Sequence, residues 1–280
     1  MMEKAKNMKK LLAVLSILMT TGAFAQSAAQ LQAELGGKKT KKWGVILTNT
    51  ISSSVREPDD YDSRIDNTTT GIYRYKLPWF NLRFLLSGSK DLAGSRQSRF
   101  GTAFIEGSTV VSALSNKNVT TLFQGRFTPA VNDERRRNES HRGAYSGGLL
   151  FIIRPGHPQF QFIGIARATK NIHEFQINRA GGQNVSHSLM NYYAVSFFPK
   201  DKWEISAYVT NFFTWDYLGA RRDNQTIIGQ SLSYNINQSL LGTIGHEIGG
   251  FTYGVDGNNL DVNLYDTNSS SVYASLTFNY

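Results

Sequence analysis

The sequence predicts an all-β transmembrane antiparallel β-barrel of about twelve strands, joined by short periplasmic turns and long extracellular loops. Three observations carry this expectation: an export segment at the N-terminus, a closing stretch of alternating apolar and polar residues at the C-terminus, and period-two segments between them whose connections alternate in length.

Residues 1–25 read as a signal peptide. Lys4, Lys6, Lys9 and Lys10 form a basic start, Leu11 to Met19 an apolar centre, and Ala23-Phe24-Ala25 a small-x-small cleavage motif before Gln26. The apolar centre is too short to span a bilayer as a mature helix. Its removal takes four lysines and Glu3 from a net charge of +9, leaving a chain that is still basic. Cysteine is absent, so packing and ladder hydrogen bonds must hold the exported chain without disulfides. No later stretch approaches the roughly 18 apolar residues of a spanning helix, whereas barrel strands hide their lipid face in every second residue and tolerate a hydrophobic fraction of 40%. The charge is dispersed, and its densest cluster, Arg135-Arg136-Arg137, is flanked by Asp133, Glu134 and Glu139. No nucleic-acid module accompanies it, so no nucleic-acid partner is expected.

Residues 26–42 are a polar lead ending in Gly36-Gly37 and Lys38, Lys39, Lys41 and Lys42, read as a short periplasmic segment, with a small lumen plug as the alternative. The barrel occupies 43–280. Strands are expected near 43–54, 67–76, 79–88, 99–112, 119–130, 145–154, 159–173, 187–198, 202–217, 224–235, 239–253 and 271–280. Short connections with turn chemistry follow the second, fourth, sixth, eighth and tenth: Leu77-Pro78, Ser115 to Asn118, Pro155 to Pro158, Pro199 to Asp201, and Asn235 to Gln238. Longer polar ones fall near 55–66, 89–98, 131–144, 174–186, 218–223 and 254–270. Placing every short turn at one end is what a barrel with periplasmic turns and external loops requires.

The strand faces agree. Phe80, Leu82, Phe84 and Leu86 alternate with Asn81, Arg83, Leu85 and Ser87, while Trp203, Ile205, Ala207 and Val209 oppose Lys202, Glu204, Ser206, Tyr208 and Thr210. A charge at lipid depth costs kilocalories, so the polar series should face the lumen. The strands near 224–235 and 239–253 are less regular, with Gln230 or His246 falling on the apolar side or displaced by a bulge. Aromatic residues gather near strand ends, among them Trp43, Trp79, Phe198, Trp203, Trp215, Tyr217, Tyr234 and Tyr280, as rings at headgroup depth would.

In the last nine residues Val272, Ala274, Leu276, Phe278 and Tyr280 alternate with Tyr273, Ser275, Thr277 and Asn279. This tail resembles that of Gram-negative outer-membrane barrel proteins, which end in an aromatic residue preceded by apolar residues at every second position. The resemblance implies recognition of Phe278 and Tyr280 by the barrel-assembly machinery, and a bacterial outer-membrane location among lipid and lipopolysaccharide.

Inward candidates are Arg83, Glu106, Arg126, Arg154, Arg167, Glu204, Asp216 and Glu247. In a wide barrel they would line a pore and set ionic selectivity; in a narrow one they would pair across the interior and fill it. In size and topology the chain resembles the small twelve-stranded channel families, which implies a passive, porin-like channel for small polar solutes. The slight basic excess points to anions, and a structural or surface-binding barrel with a filled lumen is the alternative. Arg135, Arg136, Arg137, Arg221 and Arg222 are loop candidates for anionic headgroups or sugars.

Enzymatic readings are weaker. The outer-membrane phospholipase also has twelve strands, but its His-x-Ser spacing is missing: Ser186-His187-Ser188 puts neighbours on opposite faces of a strand, and only loop geometry near 186 would bring them together. A rim constellation like that of omptin-type proteases would draw on His141 and Asp133 in one loop and His173-Glu174 at another strand end. His157 lies in a Pro-Gly-His-Pro turn and reads as structural, and His246-Glu247 lacks the spacing of a helical zinc site. No catalytic residue, cofactor or metal site is expected.

Overall fold

The computed structural model describes residues 42–56, 64–93, 97–156, 159–222, 224–251 and 269–280. The signal peptide, nearly all of the 26–42 segment and His157 lie outside the described residues. Twelve strands form one closed antiparallel barrel in sequence order: β1 (Trp43–Ser54), β2 (Ile65–Lys76), β3 (Asn81–Asp91), β4 (Ser98–Val110), β5 (Val119–Pro129), β6 (His141–Ile153), β7 (Phe160–His173), β8 (Val185–Lys200), β9 (Trp203–Asp216), β10 (Gln225–Asn235), β11 (Leu240–Phe251) and β12 (Ser270–Asn279). The expected strands all form, with ends shifted by a few residues. No described helix is long and apolar enough to cross a membrane.

Closure is made by β12 on β1. Ile46 to Ser54 pair with Asn279 to Ser271, and Tyr280 continues the ladder by donating its N–H to the Val45 carbonyl at 2.8 Å and accepting from the Val45 N–H at 3.0 Å. Every strand then has two neighbours, and no edge is left to pair with another chain. Along β12 the residues Val272, Leu276 and Phe278 are exposed, whereas Tyr273, Ser275 and Thr277 are buried inside, so the alternation read from the sequence is the alternation of the wall.

Aromatic pairs mark the short-turn end. Trp43 packs on Tyr280 (ring centroids 5.6 Å), Phe160 on Phe197 (5.0 Å) and Trp203 on Tyr234 (4.6 Å). At the opposite end Trp215 stacks on His187 at 5.0 Å. Gln230 and His246 face each other in register on the outward side of β10 and β11. The irregularity expected there is a polar pair on the outer face, without a register shift between these strands.

Two features depart from the sequence reading. The 131–144 connection holds a short helix, α1 (Asp133–Glu139), and β6 begins four residues earlier than expected, with a register shift inside its first residues between His141 and Gly143. Asn132 caps α1 by accepting the Arg135 N–H at 3.0 Å, and Ser140 ends it in a left-handed conformation (φ 54°). The lumen face is also less polar than expected. Ile46, Ile72, Leu85 and Phe104 form a buried row across β1 to β4, each in register with the next, and a second apolar cluster reaches from Leu122 to Ile227. Within each cluster inward side chains of neighbouring strands pack on one another, which shields their apolar surface on the lumen side.

Candidate functional site

Four of the inward candidates converge on one point. Arg83 of β3, Glu106 of β4 and Arg126 of β5 are register partners in adjacent strands, and Arg167 enters from β7. The Glu106 side chain has no solvent exposure. Its Oε2 accepts from Arg126 Nε at 2.9 Å and from a terminal guanidinium nitrogen of Arg126 at 2.7 Å. Arg167 reaches the same oxygen at 3.3 Å, and Arg83 lies 3.5 Å from Oε1. Gln124 bridges the group, donating to Oε1 at 3.4 Å and accepting from Arg167 at 2.8 Å. The Arg126 guanidinium also lies over the Phe104 ring at 3.6 Å, and that of Arg83 at 5.7 Å.

Three guanidiniums around one carboxylate leave a local excess of positive charge. Low-dielectric walls strengthen its field across the lumen. The register partner of Arg167 on β6 is Gly148, where a Cβ would meet the Ala166 carbonyl and stand 2.9 Å from the Arg167 Cα, so the two strands approach closely there.

The facing wall has a different chemistry. In the barrel order β9, β10 and β11 lie six strands from β3, β4 and β5, and so across the lumen from them. There the Tyr208 hydroxyl donates to the Glu247 carboxylate, with the Tyr208 ring lying over Gly229 of the intervening strand. Tyr273 lies in the same way over Gly245, and Tyr192 packs beside Tyr208 at 5.8 Å. Below them Glu204 accepts from Ser196 at 2.8 Å, and paired hydroxyls such as Ser206 with Ser231 (2.7 Å) and Ser233 with Thr243 (2.9 Å) line the wall. Along β1 and β2 the inward Thr48, Thr50, Thr68 and Thr70 are half-buried. A cationic cluster thus faces a wall of tyrosines, hydroxyls and two carboxylates.

The remaining inward candidates sit elsewhere. Arg154 lies just past β6 at the short-turn end and contacts Gln161 Oε1 at 3.4 Å. Asp216 ends β9 at the long-loop end and accepts the backbone N–H groups of Leu218 and Ala220, both at 2.9 Å, so its carboxylate is held by a turn. Of the loop arginines, Arg135 pairs with Glu139 at 3.1 Å and Arg136 with Asp133 at 3.4 Å, while Arg137 projects from the same helix. Arg221 bonds Asn224 at 3.0 Å over the Phe213 ring, and the Arg222 backbone N–H joins Thr214.

Tyr192, Tyr208 and Tyr273 face inward, and the sequence shows their side of the wall better than their packing. Alternation along their strands places Tyr208 and Tyr273 on the inward face, whereas Tyr192 is not singled out; what the sequence does not show is the seat of two of these rings, a glycine at the register position across the ladder, which only strand pairing reveals. Regular strand spacing would keep Ser186 and His187 apart, and the irregular geometry expected near the loop end is what joins them. A register shift between Val185 and His187 brings Ser186 Oγ within 3.1 Å of His187 Nδ1, and Lys170 Nζ donates to the same hydroxyl at 2.7 Å. Ser186 is nevertheless buried, with 4% of its surface exposed. Among the described residues no group of three or more His, Asp or Glu side chains is arranged to hold a metal ion.

No protein-family model matches the sequence, and no curated protein matches it. Solved structures do. The NanC porin superposes with a TM-score of 0.56 at 10% identity over 84% of this chain and 98% of that one. An outer-membrane channel from Pseudomonas putida F1 superposes with a TM-score of 0.57 at 9% identity, over 85% of this chain and 95% of that one. At such identity the likeness speaks for the fold: a closed twelve-stranded antiparallel barrel of the kind found in small outer-membrane channels.

Proposed function

We propose that this protein is a passive channel of the bacterial outer membrane for small polar solutes, with a preference for anions. The observation that carries the reading is the cluster of Arg83, Arg126 and Arg167 around the single carboxylate of Glu106, set across the lumen from Tyr208 and Glu247. A cationic wall facing an acidic one imposes a transverse field, and the surplus of guanidinium favours entry of negative charge. The resemblance of the closing strand to outer-membrane barrels and the fold shared with two solved channels support the location.

The test is conductance of the refolded protein in planar bilayers under a salt gradient. The wild type is expected to give a reversal potential on the anion side, and an Arg83→Gln/Arg126→Gln double variant to move it toward zero. An unchanged reversal potential in a folded double variant sinks the role of these arginines.

A second reading has its own observation in favour. Complete burial of the Glu106 side chain, with two apolar clusters inside the barrel, is the packing of a filled lumen, and such a protein would act through its external surface. It predicts no reproducible conductance from correctly folded protein.

A further inference from the structure

A cavity of about 650 Å³ lies at the long-loop end, between α1, the tip of β6 and the β7–β8 connection. Its walls are tied together by the backbone. The Glu174 N–H donates to the Ser140 carbonyl at 2.9 Å, the Arg179 N–H to Asn138 at 2.9 Å, and Asn184 Nδ2 to the Glu139 carbonyl at 2.7 Å. The loop is therefore held on the helix before any ligand arrives.

The lining is strongly cationic. Arg136, Arg137, Arg142 and Arg179 contribute to it, against the two carboxylates of Asp133 and Glu174. Arg136 pairs with Asp133, and Arg142 with Glu174. Arg137 and Arg179 are exposed and join no ion pair among the described residues. Two forked guanidiniums on one cavity suit a tetrahedral oxyanion, which accepts paired N–H bonds.

The position of the cavity narrows the ligand. Tyr145 and Ile172 belong to the outward series of β6 and β7, and Arg142 and Glu174 lie just beyond them toward the loops. The cavity thus opens near the boundary of the external leaflet, and two of its lining side chains, Phe175 (61% exposed) and Ile177 (52% exposed), present bare apolar surface. A free inorganic anion has no use for that apolar surface, whereas an amphiphile has.

We propose that this cavity binds the phosphate group of a phosphorylated glycolipid of the outer leaflet, with Arg137 and Arg179 as the phosphate-binding side chains and Phe175 and Ile177 against the apolar part. The site is separate from the lumen cluster and stands whether or not the barrel conducts.

The experiment uses the full-length protein refolded in detergent, delipidated, and examined by native mass spectrometry after addition of purified lipopolysaccharide, its enzymatically dephosphorylated form, or inorganic phosphate. Wild-type protein is expected to retain the phosphorylated lipid and not the dephosphorylated one. An Arg137→Gln/Arg179→Gln variant, with its folded state checked by heat-modifiable gel mobility, is expected to lose about tenfold or more in affinity. Equal retention by wild type and variant overturns the proposal, as does equal retention of the two lipid forms. If inorganic phosphate binds the wild type while lipopolysaccharide does not, the lipid assignment is overturned.

Discussion

Glu106 and Arg126 occupy facing positions on β4 and β5 and are joined by two hydrogen bonds of 2.9 and 2.7 Å, both to the same carboxylate oxygen. The pair anchors a group in which one acid serves three arginines, so removing the acid has a larger consequence than removing any one base. Glu106→Ala leaves Arg83, Arg126 and Arg167 without their shared counter-charge and is expected to destabilise the barrel by about 3–5 kcal/mol. Arg83→Ala removes the longest contact and is expected to cost less. Urea unfolding of protein inserted in lipid vesicles measures both, and equal midpoints would show that the network does not hold the wall.

The rings of Tyr208 and Tyr273 occupy the space that side chains at Gly229 and Gly245 would fill. Gly229→Ala or Gly245→Ala must push a buried ring off its seat, at an expected cost of about 1–3 kcal/mol. Gly125 has nothing within 4 Å of its would-be Cβ, so Gly125→Ala serves as the control and should lose no stability. The same unfolding measurement ranks the three, and a control as damaging as the test variants would refute the seating argument.

The outward face of β12 is expected to be in lipid. Leu276, 54% exposed in the protein alone, sits in the middle of that face. Replacing Leu276 with arginine should cost about 2–4 kcal/mol in a bilayer. A variant as stable as wild type in vesicles would mean that this face does not meet hydrocarbon.

Tyr280 and Phe278 close the barrel against β1, the first through two backbone bonds to Val45 and a ring contact with Trp43. Deleting Tyr280, or changing Phe278→Ser, should lower the folded, heat-modifiable fraction recovered from outer membranes. The in vitro refolding yield of Phe278→Ser should fall less, if recognition by assembly factors is what the residue supplies. Parallel losses in the cell and in vitro would instead assign Phe278 to the strand pairing alone.

Much of this architecture was legible in the residues. The period of two in β12 assigned each side chain to the inside or the outside, and turn chemistry at Pro155 or Pro199 to Asp201 separated one end of the barrel from the other. The helix of 133–139 was not legible, because its charged sequence, Asp133 to Glu139, has no apolar stripe and is held by the Asn132 cap, ion pairs of its own and the loop packed beside it.

For the candidate site the division is sharper. Sequence alone determined that Arg83, Arg126, Arg154 and Arg167 are inward candidates, since alternation along a strand is a local property. It could not distinguish Arg154, which ends at the short turns beside Gln161, from Arg167, which reaches Glu106 across two intervening strands. Nor could it bring Arg137 and Arg179 to one cavity. Those meetings depend on register and on closure of the twelve-stranded ring: a strand's own residues dictate which way a side chain points, and only its neighbours dictate what it points at.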